Sequence, residues 1–334
     1  MKKKRILITG SEGFIGSAVS DKLVEEALKS KCNCEIVFLD KKIPNTANKL
    51  IKYYKDFAKQ ITLKLFQKDL TDKDLYSEID SFDVILHLAA LIDATESITE
   101  PVTYYKNNLD ATINLLQCIN KGGKFIFASS AAVYGIPNKT PSSELDDIRP
   151  ISPYGETKVL AEKEIINYKS KNDLNYYILR FFNIAGSYSG KVIKSSPSFE
   201  KNLFSQIKNK YLNNEKFIID GANYVTKDGT CERDFVEIKW LCSFLSKLIL
   251  DSLNQSSFIV NVGCGTPTSI LQLANALSKI NGGFNFKIGQ PRQVEIPTSY
   301  ADIQKLLAIL QSLNETSPPS NVNEIAKSIG IEES

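Results

Sequence analysis

Short apolar runs alternate with longer stretches whose apolar side chains recur at helical spacing. Residues 5–10, 35–40, 61–70, 83–90, 124–130 and 176–183 read as strands, and residues 14–29, 72–79, 100–120 and 153–171 as helices. The runs Val84-Ile85-Leu86 and Phe125-Ile126-Phe127 are apolar at consecutive positions rather than alternating. That pattern suits parallel strands covered on both faces. Its repetition with intervening helices predicts an α/β chain built on a doubly wound parallel sheet. Past Gly186 the texture changes. Residues 187–197 are a loop rich in Ser, Lys and Gly. A helix near 199–212, a strand at 217–220, a loop at 221–231 and a helix at 238–253 follow. Residues 258–262 repeat the buried-strand pattern, and 269–280, 284–288 and 303–313 read as helix, strand and helix. Pro318 and Pro319 stop the last.

Composition narrows the chemistry. The 334 residues are 43% hydrophobic, ample for a core, and 41 basic against 38 acidic side chains leave a net charge of +3. So small an excess points to no nucleic acid and no membrane partner. The basic N-terminus is followed by only Ile6-Leu7-Ile8-Thr9 before Gly10, too short for a secretory core. Six cysteines (32, 34, 118, 231, 242 and 264) contain one C-x-C and no C-x-x-C, so zinc spacing is absent. A chain this long needs no disulfide staples, and the expectation is a reduced, cytoplasmic protein. The single histidine, His87, excludes a multi-histidine metal site. Acid–base chemistry near neutral pH must then come from a perturbed Tyr, Lys, Cys or carboxylate. His87 itself ends a buried strand and reads as structural.

The first strand runs into Gly10-Ser11-Glu12-Gly13-Phe14-Ile15-Gly16, a G-x-x-G-x-x-G turn between strand and helix. Such glycines allow a tight turn and close approach of backbone to a pyrophosphate, which sits on the helix N-terminus. Asp40 ends the second strand at the distance expected of a carboxylate that binds ribose hydroxyls. It favours NAD over NADP, while Lys41 and Lys42 beside it would tolerate a phosphate. Asp69 and Leu70, ending the third strand, are placed to meet the adenine. The chain divides on this reading into a Rossmann domain, residues 1–183 with about 236–264, and a smaller α/β substrate domain, residues 184–235 and 265–334.

Tyr154-Gly155-Glu156-Thr157-Lys158 places a phenol and an ammonium one helical turn apart. A free tyrosine has a pKa of about 10, and a neighbouring cation together with the positive nicotinamide ring is expected to lower it toward neutrality. The pair is a base without imidazole. Upstream, Ser129 and Ser130 end a buried strand, and Ser130 is a candidate proton relay between substrate hydroxyl and Tyr154.

With these residues in this order, the chain resembles the extended short-chain dehydrogenase/reductase family, and within it the UDP-hexose 4-epimerase branch. The likeness covers residues 6 to about 310. It is carried by Glu96-Ser97, Pro101, Tyr104-Tyr105-Lys106-Asn107-Asn108, Arg180-Phe181-Phe182-Asn183 and above all Asp228-Gly229-Thr230-Cys231-Glu232-Arg233-Asp234-Phe235. The resemblance implies NAD-dependent inversion at C4 of UDP-glucose/UDP-galactose through a transient 4-keto sugar. It implies catalysis by Ser130, Tyr154 and Lys158. Cofactor contacts are implied from Gly10, Gly13, Phe14, Ile15, Gly16, Asp40, Asp69, Leu70, Leu88, Ala89, Ala90, Asn108, Ser129 and Phe182. Nucleotide-sugar contacts are implied from Asn183, Asn202, Arg233, Arg292 and Glu295, the arginines gripping the diphosphate. Ser299, small where epimerases place a residue beside the sugar C2 substituent, implies room for UDP-N-acetylhexosamines. The family also implies a homodimer formed by the helices at 100–120 and 153–171.

Some positions depart from that branch. Ile92 stands where a lysine is usual, Asp220 where an aromatic packs near uracil, and Val294 where a glycine is usual. Ala131 and Ala132 replace the Asp-Glu pair of the related dehydratases and argue against dehydration. A nucleotide-sugar reductase or decarboxylase, or a non-catalytic NAD-binding regulator on the same fold, remains an alternative.

Overall fold

The computed structural model describes residues 3–55, 60–72, 74–193, 202–251, 256–281, 284–292 and 295–330. Seven strands form one parallel sheet: β1 (Lys4–Thr9), β2 (Cys34–Asp40), β3 (Ile61–Gln67), β4 (Phe82–His87), β5 (Ile119–Ser130), β6 (Leu174–Phe181) and β10 (Phe258–Val262). Their order is β10-β6-β5-β4-β1-β2-β3, so the winding reverses between β1 and β4. Register aligns the carboxyl ends there: Thr9 lies beside both Leu39 and His87, and His87 beside Phe127. The crevice outside such a switch point is where open α/β sheets bind ligands.

The consecutive apolar runs are explained by two cores, one per face. Ile6, Ile8, Ile36, Phe38, Leu86 and Ile126 pack under the helices Phe14–Lys29 and Ile238–Leu250. Leu7, Val37, Ile85, Phe125 and Phe127 pack on the other face with Leu115, Leu116, Ala161 and Ile165. Leu115 and Leu116 therefore face the sheet, and Ile119 belongs to it as the first residue of β5. Val102, Ile113 and Ile166, on the helical stretches where pairing of two copies is expected, are exposed. Trp240 is core, stacked on Phe244 with its indole N–H on the Thr316 carbonyl at 2.8 Å.

The remaining strands are short: β7 (Asn183–Ala185), β8 (Phe217–Ile219), β9 (Glu232–Glu237), β11 (Pro267–Ser269), β12 (Phe286–Ile288) and β13 (Thr298–Ser299). β9 pairs with β7, β11 and β13, and β8 with β12. A separate core of Phe204, Ile207, Phe217, Phe235, Leu273 and Leu277 lies under them. The helix Gln304–Ser312, expected with this part, instead buries Leu306 and Leu310 in the core of the large sheet.

Several boundaries differ from expectation. The helix expected at 100–120 runs from Pro101 to Leu116 with a π-helical turn at Tyr105–Asp110, and β5 starts at Ile119 rather than 124. The helix Asn45–Tyr54 was unforeseen, because its cap comes from far away in sequence: the buried Glu12 carboxylate accepts from Thr46 N at 2.7 Å and Ala47 N at 3.1 Å. The helix expected at 199–212 is described from Leu203. The earlier part of it and Val294 lie outside the described residues.

Candidate active site

The glycine turn is dictated by close approach. A Cβ on Gly16 would stand 1.9 Å from the Gly10 carbonyl oxygen, and one on Gly13 would stand 3.1 Å from it. Gly10 has φ +70 and lies against the Ala89 backbone, where a Cβ would meet N at 2.8 Å. Gly13 opens the helix Phe14–Lys29 without a side-chain cap. The N–H groups of that first turn have no side-chain acceptor, and an anion is the natural one. A dinucleotide pyrophosphate fits this cradle. Asp40 lies beside it, its Oδ2 accepting from Glu12 N at 3.0 Å and its Oδ1 from Lys42 N at 2.9 Å. Asp69 is held in a turn by Thr71 N at 2.9 Å, a bond that lowers its pKa.

The loop after β4 is tied to the turn by a chain of hydroxyls through His87. Ala89 N donates to Thr9 Oγ1 (3.3 Å), which lies 2.8 Å from His87 Nδ1; Nε2 lies 3.1 Å from Thr112 Oγ1, whose hydroxyl donates to Asn108 O at 2.6 Å. Since Thr112 spends its proton on the carbonyl, Nε2 carries the imidazole hydrogen and Nδ1 accepts. Burial, with the Lys158 charge nearby, pushes His87 down to about 3. It stays neutral and does no acid–base work at physiological pH.

Ser130 ends β5, and the helix Pro153–Lys171 starts against it. Ser152 caps that helix, accepting from Gly155 N at 3.2 Å. Gly155 is required because a Cβ would meet the Ala132 carbonyl oxygen at 2.7 Å. This contact brings Tyr154 to Ser130, whose Oγ also accepts from Ala132 N at 3.2 Å. Lys158 is buried. Its Nζ donates to the Ala128 carbonyl at 2.8 Å and lies 4.8 Å from the Phe127 ring centroid and 6.0 Å from that of Tyr154.

In the protein alone, burial raises the Tyr154 phenol and the hydrogen bond to Ser130 pulls it part of the way back; the lowering expected beside a nicotinamide ring concerns the loaded site. Burial likewise brings Lys158 down to about 7, against the raising influence of Glu162. One of the three Lys158 ammonium donors goes to the Ala128 carbonyl, and the Nζ lies 6.0 Å from the Tyr154 ring centroid.

Behind the site, Glu162 lies one turn beyond Lys158. Arg180 grips it with Nε at 3.1 Å and Nη2 at 2.7 Å, and the Ser129 hydroxyl donates to it. Arg180 also reaches the Tyr134 hydroxyl at 3.0 Å. No reading of the sequence pointed to Glu162 or to its partnership with Arg180.

A cavity of about 720 Å³ gathers these parts. It is lined by Gly10, Gly13, Phe14, Ile15, Gly16, Asp40, Asp69, Leu70, Leu88, Ala89 and Ala90. Ser129, Ser130, Tyr154, Lys158, Phe182 and Asn183 join the lining from further along the chain, and Asn202, Arg233, Arg292 and Glu295 complete it. Two expected residues are not among the lining. Asn108 is buried with its amide spent, Oδ1 accepting from Leu91 N (2.8 Å) and Nδ2 donating to Leu91 O (2.9 Å) and Thr157 Oγ1 (3.1 Å). It shapes the wall at Leu91 rather than forming it. Ser299 lies in β13, in register with Arg233, outside the lining. Unforeseen wall residues include Phe204, Phe217, Ile219 and Ile270, apolar positions that carry no motif, and Ile92, which stands where a lysine is usual, lies in the wall with them.

Of the Asp228–Phe235 motif, only Cys231 and Arg233 reach the cavity. Asp228 is scaffold, accepting from Thr230 N at 2.9 Å and from Ser269 Oγ. Asp234 is buried and accepts from Cys264 N, Gly265 N and Ala301 N at 2.6–3.0 Å. Asn202 caps the helix Leu203–Leu212 through Phe204 N at 2.9 Å.

All six cysteines are free. Among the described residues no helix is long and apolar enough to cross a membrane, and no cluster of His, Cys, Asp and Glu side chains could hold a metal ion.

Comparison with known proteins agrees with this geometry. The chain is 32% identical to a UDP-glucose 4-epimerase of Lactobacillus helveticus, over 92% of this chain and 91% of the relative. It is 30% identical to a UDP-glucose 4-epimerase of Bacillus subtilis (strain 168), covering 90% and 89%. Among solved structures, the UDP-Glc/GlcNAc 4-epimerase of Campylobacter jejuni superposes with a TM-score of 0.74 at 30% identity, covering 98% of both chains. Residues 6–263 match the model of the NAD dependent epimerase/dehydratase family, and the chain belongs to that family.

Proposed function

We propose that this protein inverts C4 of a UDP-hexose, interconverting UDP-glucose and UDP-galactose or their N-acetylated counterparts, with NAD as resident cofactor. The observation that carries the reading is one cavity that joins a dinucleotide cradle, a Ser–Tyr–Lys set and two arginines suited to a diphosphate. Residues 1–183 with 236–264 hold the cofactor, the uncapped turn at Gly13 taking its pyrophosphate and Asp40 its ribose. Residues 184–235 and 265–334 hold the nucleotide sugar.

NAD supplies the reversible two-electron acceptor. The protein's own residues manage the proton. Tyr154 takes it from the sugar 4-hydroxyl, and Ser130, hydrogen-bonded to the phenol, shares it during transfer. Because burial opposes the phenolate, Tyr154 becomes a base when positive charge enters the cavity beside it and Lys158 is protonated. Apolar side chains such as Phe182, Phe204 and Ile219 keep water from the site. Asn202, Arg233 and Arg292 keep the nucleotide anchored while the 4-keto sugar presents its other face, and Tyr154 returns the proton.

Purified protein given UDP-galactose and no added cofactor should form UDP-glucose. Tyr154→Phe should lower turnover by roughly 10²–10⁴-fold while NAD remains bound. Failure of the wild-type protein to epimerise any UDP-hexose or UDP-N-acetylhexosamine would overturn the reading.

A further inference from the structure

Two arginines and two carboxylates form a chain of ion pairs on the cavity wall. Arg233 is enclosed, its side chain 15% exposed. Its Nη2 lies 2.6 Å from Glu295 Oε1, and its Nη1 donates to the carbonyls of Ile296 at 2.7 Å and Glu232 at 2.8 Å. Arg292 is open, 63% exposed. Its Nη2 lies 2.6 Å from Asp220 Oδ2 and its Nη1 3.4 Å from Glu295 Oε2. The four charges cancel, so this wall offers no net attraction to a dianion. A guanidinium edge already serving a carboxylate must release it before it serves a phosphate.

We propose that Asp220 is a specificity-determining residue that acts through Arg292. Its carboxylate holds the guanidinium edge that a ligand diphosphate requires, and so sets the affinity of the cavity for nucleoside diphosphates. The inference rests on reading this cavity as a nucleotide-sugar site. The two arginines divide the work. Arg233, held by Glu295 and by the carbonyls of Glu232, Ile296 and Pro297, keeps its place. Arg292, in an exposed pair, must give up Asp220 to take phosphate, and the modest strength of that pair is what Asp220 subtracts from diphosphate affinity. A nucleoside without phosphates meets no such competition.

The test compares binding of UDP and of uridine by calorimetry to wild type, Asp220→Asn and Asp220→Glu. Asp220→Asn should bind UDP roughly two- to fivefold tighter with uridine affinity unchanged, and Asp220→Glu should match wild type. Unchanged or weaker UDP binding by Asp220→Asn overturns the proposal, and so does an equal gain for uridine. The two readings fail separately. Tighter UDP binding in a protein that epimerises nothing sinks the epimerase function and leaves the role of Asp220. Turnover with no change in UDP affinity sinks the role of Asp220 alone.

Discussion

At Tyr154 and Lys158 burial opposes the charged state of both groups, raising the phenol and bringing the ammonium down to about 7. Spacing made the pair visible in the sequence but could not show how far burial raises the phenol before a positive ring lies beside it. Spacing reports proximity, whereas the desolvation that decides the pKa depends on Phe127, Ala128 and the rest of the surrounding fold. The same physics gives His87 a measurable signature. Its pKa falls from 6.5 to about 3 in the folded protein. Below about pH 6.5 the unfolded chain takes up a proton that the folded one refuses. The contribution to stability is therefore complete above that pH and declines toward pH 3, by about 1.4 kcal/mol per pH unit. Because the chain has one histidine, its imidazole resonance can be followed unambiguously by NMR. The resonance should hold its neutral position down to at least about pH 5. A titration midpoint near 6.5 would show that the Thr9–His87–Thr112 chain does not enclose the ring.

The long elements were legible because their signals are local. Helices Phe14–Lys29 and Pro153–Lys171 match the expected bounds, each opened by a motif that belongs at a helix start. Elements held by distant partners were not. The helix Asn45–Tyr54 depends on Glu12. The π-helical turn at Tyr105–Asp110 contains Asn108, which reaches Leu91 and Thr157. The same turn that caps Asn45–Tyr54 through Glu12 shapes the cofactor cradle, so disturbing it should be felt twice. In Gly16→Ala the new methyl would fall 1.9 Å from the Gly10 carbonyl, which no rotamer relieves. Overpacking of this kind costs about 1–3 kcal/mol. The variant should melt earlier than wild type and be purified with little or no NAD, read as the cofactor released on acid denaturation. Wild-type NAD content in Gly16→Ala would remove the pyrophosphate from this turn.

At the scale of the whole molecule, the cavity is lined both from the large sheet and from the short strands β8 and β9. The large sheet holds the glycine turn, Ser130, Tyr154 and Lys158 at its carboxyl edge, while β8, β9 and the residues before β13 hold Asp220, Arg233, Arg292 and Glu295 over a core of their own. The sequence shows a change of texture past Gly186. The return of the helix Gln304–Ser312 to the large sheet was not legible, since an amphipathic helix carries no mark of which core it joins. Two ligands that occupy opposite ends of one cavity should protect different cores. NAD should slow amide exchange at residues 10–16 and 88–90, and UDP at residues 202–207, 217–220 and 232–235. At a hundred times its Kd each ligand should add about 2.7 kcal/mol to the stability of the state that binds it. UDP bound to NAD-loaded protein should leave protection at Gly10–Gly16 as NAD left it, because none of the residues assigned to the diphosphate lies on that turn. If UDP instead protected the glycine turn and spared β9, the nucleotide sugar would sit the other way round, and Arg233 and Arg292 would lose their roles as diphosphate ligands with it.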